Sequence, residues 1–299
     1  MSDTLKGIVI MICGIALLTT NDAITKHLLA SHPVGQVICL RQAATLLVIV
    51  PYAMLVTGWG ALRVASWPWQ LTRGGLFICG SFLLVLSLGL LPLATVITIM
   101  FASPIFIAAL SLPLLAERVG VDRWLAIVAG FAGVLIVVRP GGATFEWALL
   151  IPLVAAVINA LRDITTRRMS RGETSIAILF WSTVIVMAAA FTTAPFGWQS
   201  VSGVDAAWFV AAGVFNAGAH FLLIEALRLG EAAVVSPMRY TSLIWATLLG
   251  YLVWQELPDR WVLAGSAVII ASGVYMIRLE ARKGRGPFPI SAAGRESVG

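Results

Sequence analysis

The sequence predicts an all-α polytopic membrane protein, with ten transmembrane helices arranged as two inverted five-helix repeats. Three observations carry that prediction. The first is composition: of 299 residues, 60% are hydrophobic and only 11% charged, against about 25% charged in a soluble domain. So few charges cannot coat a globule in water, so the solvent around the fold is lipid. The second is run length. Ten mostly apolar segments follow one another, each close to the ~20 residues that a helix needs to cross the hydrocarbon core. The third is repetition: residues 77–96 (FICGSFLLVLSLGLLPLATV) and 215–235 (FNAGAHFLLIEALRLGEAAVV) align with Phe77 on Phe215, Gly80 on Gly218 and Leu91 on Leu229.

The first span covers 5–29 and has no small-residue cleavage site after it, so it reads as a retained helix rather than a signal peptide. A Ser-His-Pro turn at 31–33 leads into the second span, 34–57. The third, 71–91, and the fourth, 93–115, are separated only by Leu-Pro-Leu, where proline denies the helix a donor. The fifth is 123–138, and then come 145–166, 175–194, 205–227, 232–254 and 260–277. The last twenty residues are polar and rich in Gly and Pro, which predicts a disordered tail. The chain therefore divides at 1–141, 142–279 and 280–299: first repeat, second repeat and cytoplasmic tail.

Five is an odd number, so two copies of a five-helix unit face opposite ways across the membrane. Further marks repeat. Glu117 with Asp122-Arg123-Trp124 matches Glu256 with Asp259-Arg260-Trp261; Gly133-Val134 matches Gly273-Val274; DAITK at 22–26 echoes DITTR at 163–167. An inverted-topology repeat is a transporter signature, with a site expected near the midplane between the copies.

The net charge of +6 reads as the basic bias of cytoplasmic loops rather than a nucleic-acid surface. With the N-terminus inside, Lys6, Arg63, Arg73, Arg118, Arg123, Arg167, Arg168, Arg171 and Arg228 fall on the cytoplasmic side with the basic tail. Only Lys26, Arg139 and Arg260 fall outside. Both termini are thus expected in the cytoplasm. Cys13, Cys39 and Cys79 all lie in apolar stretches and read as core residues, not as a disulfide or metal set.

Two stretches carry a family resemblance: 103–141 (SPIFIAALSLPLLAERVGVDRWLAIVAGFAGVLIVVRPG) and its partner 243–274 (LIWATLLGYLVWQELPDRWVLAGSAVIIASGV). With an acidic residue closing the fourth and ninth spans, the chain resembles the EamA-type members of the drug/metabolite transporter superfamily over nearly its whole length. Within it the chain is similar to the YddG-type exporters of aromatic and other neutral amino acids. The resemblance implies a secondary exporter in a bacterial inner membrane, working by alternating access without a cofactor. The first span has no central glutamate of the kind the small multidrug branch uses; Asn21-Asp22 comes only near its outer end.

Ionisable residues inside spans are functional candidates, because each costs about 3 kcal/mol at mid-bilayer. Arg239 sits about seven residues, roughly 10 Å, into the ninth span, two residues after Pro237. The matching position in the first repeat is Phe101, so repetition alone does not demand a charge there. Its planar fork suits a carboxylate, and two readings stand: a substrate carboxylate, or an ion pair with Glu225 or Asp163. Asn159, Asn216 and His220 fall at similar depth, the last two on one helical face. With Ser236, Tyr240 and Thr241 they are candidates to line a polar pocket. His220 is a candidate proton carrier or a hydrogen-bonded packing residue. Met100, Phe101, Tyr240 and Trp245 are candidate apolar lining, together with Phe77, Phe82 and Trp181. Arg41 reads either as snorkelling outward or as an outer gate with Asp22. Asp163 reads as part of a cytoplasmic-end network with Arg162 and Arg167, and Glu225 as an i, i+3 pair with Arg228. Small residues on the fifth and tenth spans, Ala126, Gly130, Gly133, Gly265 and Gly273, suit close helix packing or a homodimer contact.

Other function classes find little footing. No G-x-x-x-x-G-K-[ST] loop occurs, and the three histidines are too scattered for His-Glu-x-x-His. Asp22 and Asp163 fall near opposite membrane faces, which defeats an aspartyl pair. The expected partners are a small-molecule substrate, amino acids first, and lipid.

Overall fold

The computed structural model describes residues 3–115, 121–139, 146–169, 173–229 and 235–282. Every regular element among them is helical. In chain order these are α1 (Asp3–Leu28), α2 (Val34–Tyr52), α3 (Trp67–Leu90), α4 (Leu93–Met100), α5 (Ser103–Leu115), α6 (Val121–Val138), α7 (Leu150–Met169), α8 (Ser175–Phe191), α9 (Gly203–Leu229), α10 (Ser242–Trp254) and α11 (Arg260–Arg282). Five segments are long and apolar enough to cross a bilayer: Leu5–Leu28, Val34–Thr57, Trp67–Leu90, Trp147–Thr166 and Gly203–Ala226. Shorter apolar helices cover Leu93–Ile107, Trp124–Val138, Ile176–Phe191 and Arg260–Met276. The acidic mark Glu117, the start of the ninth span and the tail beyond Arg282 lie outside the described residues.

Two of the expected spans are broken rather than continuous. The fourth is interrupted at Phe101–Ala102, between α4 and α5. Pro104 explains the break, since it has no N–H to offer the Met100 carbonyl. The ninth carries a 3₁₀ turn, Ser236–Thr241, directly before α10. Pro237 lies in its first turn, where its fixed φ is tolerated. Phe101 and Arg239 are equivalent positions of the repeat, so the irregularity itself is repeated.

Packing follows the inverted repeat. α1 lies along α9, and α3 along α7; these are one interface seen twice, first helix on third helix of the other copy. α2 packs on α8 and α9, α4 on α10, and α6 on α11. The two copies are therefore interleaved, and the largest apolar cluster draws on both, with Leu93, Val96, Ile99, Val134, Ala156, Ala246 and Ile269 all buried in it. Between α6 and α11 the backbones touch: a Cβ on Gly265 would lie 2.7 Å from the Gly133 carbonyl oxygen. The small residues of these two helices meet each other, as close packing in a membrane requires. On the outer sides of the helices Leu47, Leu125, Val128, Phe221, Ile244 and Leu252 are exposed, as a lipid-facing surface should be.

Candidate functional site

The two breaks meet each other. The ring of Phe101 stands edge-on to that of Tyr240, with centroids 5.0 Å apart, a favoured aromatic geometry. The Tyr240 hydroxyl is pressed against Gly273 of α11, so a side chain at 273 would displace it. One residue before Tyr240, Arg239 is exposed, and its guanidinium makes no hydrogen bond to any described residue. Of the two carboxylates expected to face it, Asp163 bears on its charge. Asp163 accepts from Arg162 at 3.0 Å, and Arg162 in turn lies 5.2 Å over the Phe77 ring.

α7 and α9 supply the polar flank. Asn159 faces α3, its Oδ1 3.0 Å from where Gly80 would carry a Cβ. Asn216 reaches across to α2, its Nδ2 donating to Thr45 Oγ1 at 3.3 Å. The Nδ1 of His220 lies 2.8 Å from the Asn216 carbonyl oxygen, and the charges of Arg162, Arg239 and Arg41 all bear on its ring. Met100 packs into the large central cluster. Trp245 packs with Met11, Ile15 and Val235, and its Nε1 is buried without a hydrogen-bond partner among the described residues. Ser236 begins the 3₁₀ turn.

A second polar group is formed by residues of α1 and α2. Asp22 and Arg41 are each only 8% exposed. Each feels the other's charge, but no direct ion pair joins them among the described residues. Asn21 Nδ2 donates to Asp22 Oδ1 at 3.1 Å. Thr45 donates to the Arg41 carbonyl at 2.9 Å, fixing the turn of α2 that carries the arginine.

The structure adds contacts that the sequence does not single out. Lys26 Nζ lies 2.7 Å from both carboxylate oxygens of Glu256 and donates to the Leu91 carbonyl at 2.9 Å. The Leu93 N–H donates to Glu256 at 3.3 Å, and Lys26 also sits 5.0 Å over the Trp254 ring. One ion pair thus ties α1, the α3–α4 turn and the end of α10 together. Glu256 is aimed there by a left-handed cap at Gln255, whose φ is 59°. At the other end Arg73 donates to Thr166 at 2.7 Å, to the Ile178 carbonyl and to Ser182, fastening α3 to α7 and α8. In the sequence Lys26 and Glu256 show only as repeat marks, and Arg73 only as a topological charge.

Comparisons with known proteins agree with this architecture. Residues 5–139 and 146–279 each match the EamA-like transporter family. Across 284 residues, 94% of this chain and 96% of the relative, the chain is 26% identical to an S-adenosylmethionine uptake transporter of Rickettsia prowazekii. It is 30% identical to a riboflavin transporter of Rhizobium johnstonii, over 77% of this chain and 76% of that one. It is 25% identical to the pseudopaline exporter CntI of Pseudomonas aeruginosa, over 92% and 98%. A solved crystal structure at 20% identity superposes with a TM-score of 0.66, covering 93% of this chain and 98% of the other, which speaks for the fold.

Proposed function

Since the chain belongs to the EamA-like transporter family, we propose that it is a secondary transporter of small carboxylate-bearing metabolites, neutral aromatic and aliphatic amino acids first among them. It exports them across the bacterial inner membrane, with both termini in the cytoplasm, by alternating access around the Phe101–Arg239 centre. The relatives are transporters, of substrates that differ from one another, and this supports the general activity. One observation carries the narrower reading: Arg239 presents a guanidinium without a hydrogen-bond partner among the described residues, inside an apolar segment and next in sequence to Tyr240, whose ring faces Phe101. A planar cationic fork next to aromatic surface matches a carboxylate on an apolar body. A second reading keeps the fold and the mechanism but assigns other metabolites, with Arg239 held by Asp163 as a structural pair.

The test is uptake into proteoliposomes over a panel of aromatic, aliphatic and charged amino acids, with and without a pH gradient. Saturable uptake with counterflow is expected for the neutral members. Arg239→Ala should raise KM at least tenfold, about 1.4 kcal/mol, with Arg239→Lys intermediate. Uptake that rises linearly without saturating would indicate a pore. An unchanged KM in Arg239→Ala would return that arginine to structural duty, and the absence of any amino-acid uptake would favour the second reading.

A further inference from the structure

We infer that Asn21, Asp22 and Arg41 form a second substrate station, toward the outer face, built to hold the α-ammonium and α-carboxylate of a zwitterionic amino acid together. This rests on the amino-acid reading above and adds to it a place where both charged groups of the substrate are recognised.

The observation behind it is polar chemistry left without a protein partner in a buried place. Arg41 is 8% exposed and its Nε is fully buried with nothing to donate to. Among the described residues no hydrogen bond leaves its guanidinium. Asn21 is 1% exposed; its amide nitrogen is used by Asp22, while its Oδ1 is buried and unmet. Asp22 is held by that single contact. A structural ion pair would have closed to direct contact, because burying separated opposite charges is costly. A snorkelling arginine would carry its head to the surface, which 8% exposure denies.

The groups specify their ligand. A guanidinium asks for a carboxylate. A carboxylate beside an unmet amide oxygen asks for a cation with several N–H donors, which an ammonium is. A bare metal ion would suffer Arg41, and a dicarboxylate would suffer Asp22; a zwitterion satisfies both with no net charge brought into the membrane. The surroundings suit a station rather than a packing accident. Asp22 and Lys26 are one turn apart on α1, on one face, so the Lys26–Glu256 pair closes directly beyond it toward the outer face. The repeat provides the counterpart: Asp163 answers to Asp22 and lies within electrostatic reach of Arg239. Each repeat thus brings an acid of its first helix within electrostatic reach of an arginine.

The experiment is counterflow in proteoliposomes with leucine, challenged by leucinamide, N-acetylleucine and isoamylamine, for wild type, Asp22→Asn, Arg41→Gln and Arg239→Ala. Wild type should reject all three analogues by tenfold or more. Asp22→Asn should raise the leucine KM about tenfold and lose the discrimination against N-acetylleucine. Arg41→Gln should do the same for leucinamide. If both variants keep wild-type KM and selectivity while Arg239→Ala loses them, the outer station is wrong and the proposed function stands. If wild type carries no leucine or other amino acid, both fall. Variants that do not elute as a single species leave the decision to wild type: N-acetylleucine competing as well as leucine overturns the station.

Discussion

Tyr240 is held from two sides, by the edge of Phe101 at 5.0 Å and by the backbone of Gly273. Only glycine at 273 leaves room for the hydroxyl, so Gly273→Ala must push the ring, and with it the turn that carries Arg239. The expected result is a severalfold loss of transport and a thermal midpoint lower by the few degrees that ~1–3 kcal/mol of overpacking brings. Fluorescence-detected melting and uptake on one preparation check both. A variant with unchanged uptake would free Tyr240 from any part in the site. At this scale the sequence is a good guide where a residue violates its surroundings. Arg239, Asp22 and Arg41 were legible because charge inside an apolar run has a cost that needs a reason. Asn21 was legible only as the neighbour of Asp22, and an aromatic such as Trp245 reads the same in a membrane helix whether it lines a pocket or fills a core. Lys26 and Glu256 stand 230 residues apart, and nothing in either neighbourhood announces that they touch.

The fourth and ninth spans depart from regular α-helix at equivalent places, Phe101 and Arg239. The proline in each segment could be read from the sequence, but one breaks a helix in two and the other yields a 3₁₀ turn, an outcome that depends on what packs nearby. Broken helices at a repeat axis free backbone polar groups where a substrate can use them. The same elements are tethered by Lys26 and Glu256, with side chains 9% and 27% exposed. In the proposed alternating access, opening the outer side parts α1 from the end of α10 and breaks this pair in each cycle. Removing its charge with Glu256→Gln should therefore favour the outward-open state. Spin labels at Ser31 and Leu257, read by pulsed electron resonance, should show a longer and broader distance distribution in the variant. An unchanged distribution would make the pair a static brace. The expected kinetic companion is a raised KM for substrate presented from the cytoplasm, with release no longer limiting.

At the scale of the whole molecule, the repeat in the sequence identifies equivalent positions but not neighbours. Similarity between 77–96 and 215–235 says that α3 and α9 play the same part; it cannot say that α3 lies on α7 and α9 on α1. Each half keeps its main packing partners in the other. In the proposed alternating access the moving bodies would therefore be mixed, with α1 and α9 on one side and α3 and α7 on the other. That has a direct consequence for a cut chain. Expressed alone, residues 1–141 would leave the faces of α1, α3 and α6 without α9, α7 and α11, and the tight Gly133–Gly265 approach could not form. Neither half should persist as a monodisperse species by itself. Co-expressed with 142–299, the fragments should co-purify and regain saturable transport, since the contacts that hold them do not need the covalent link. Substituting Gly265→Leu in the second fragment should then weaken recovery, because its side chain meets the Gly133 carbonyl and pries α6 from α11. A first half that stays soluble in detergent as a stable single species, indifferent to its partner, would mean that the copies are independent bundles and that the interleaved packing is not what holds the carrier together.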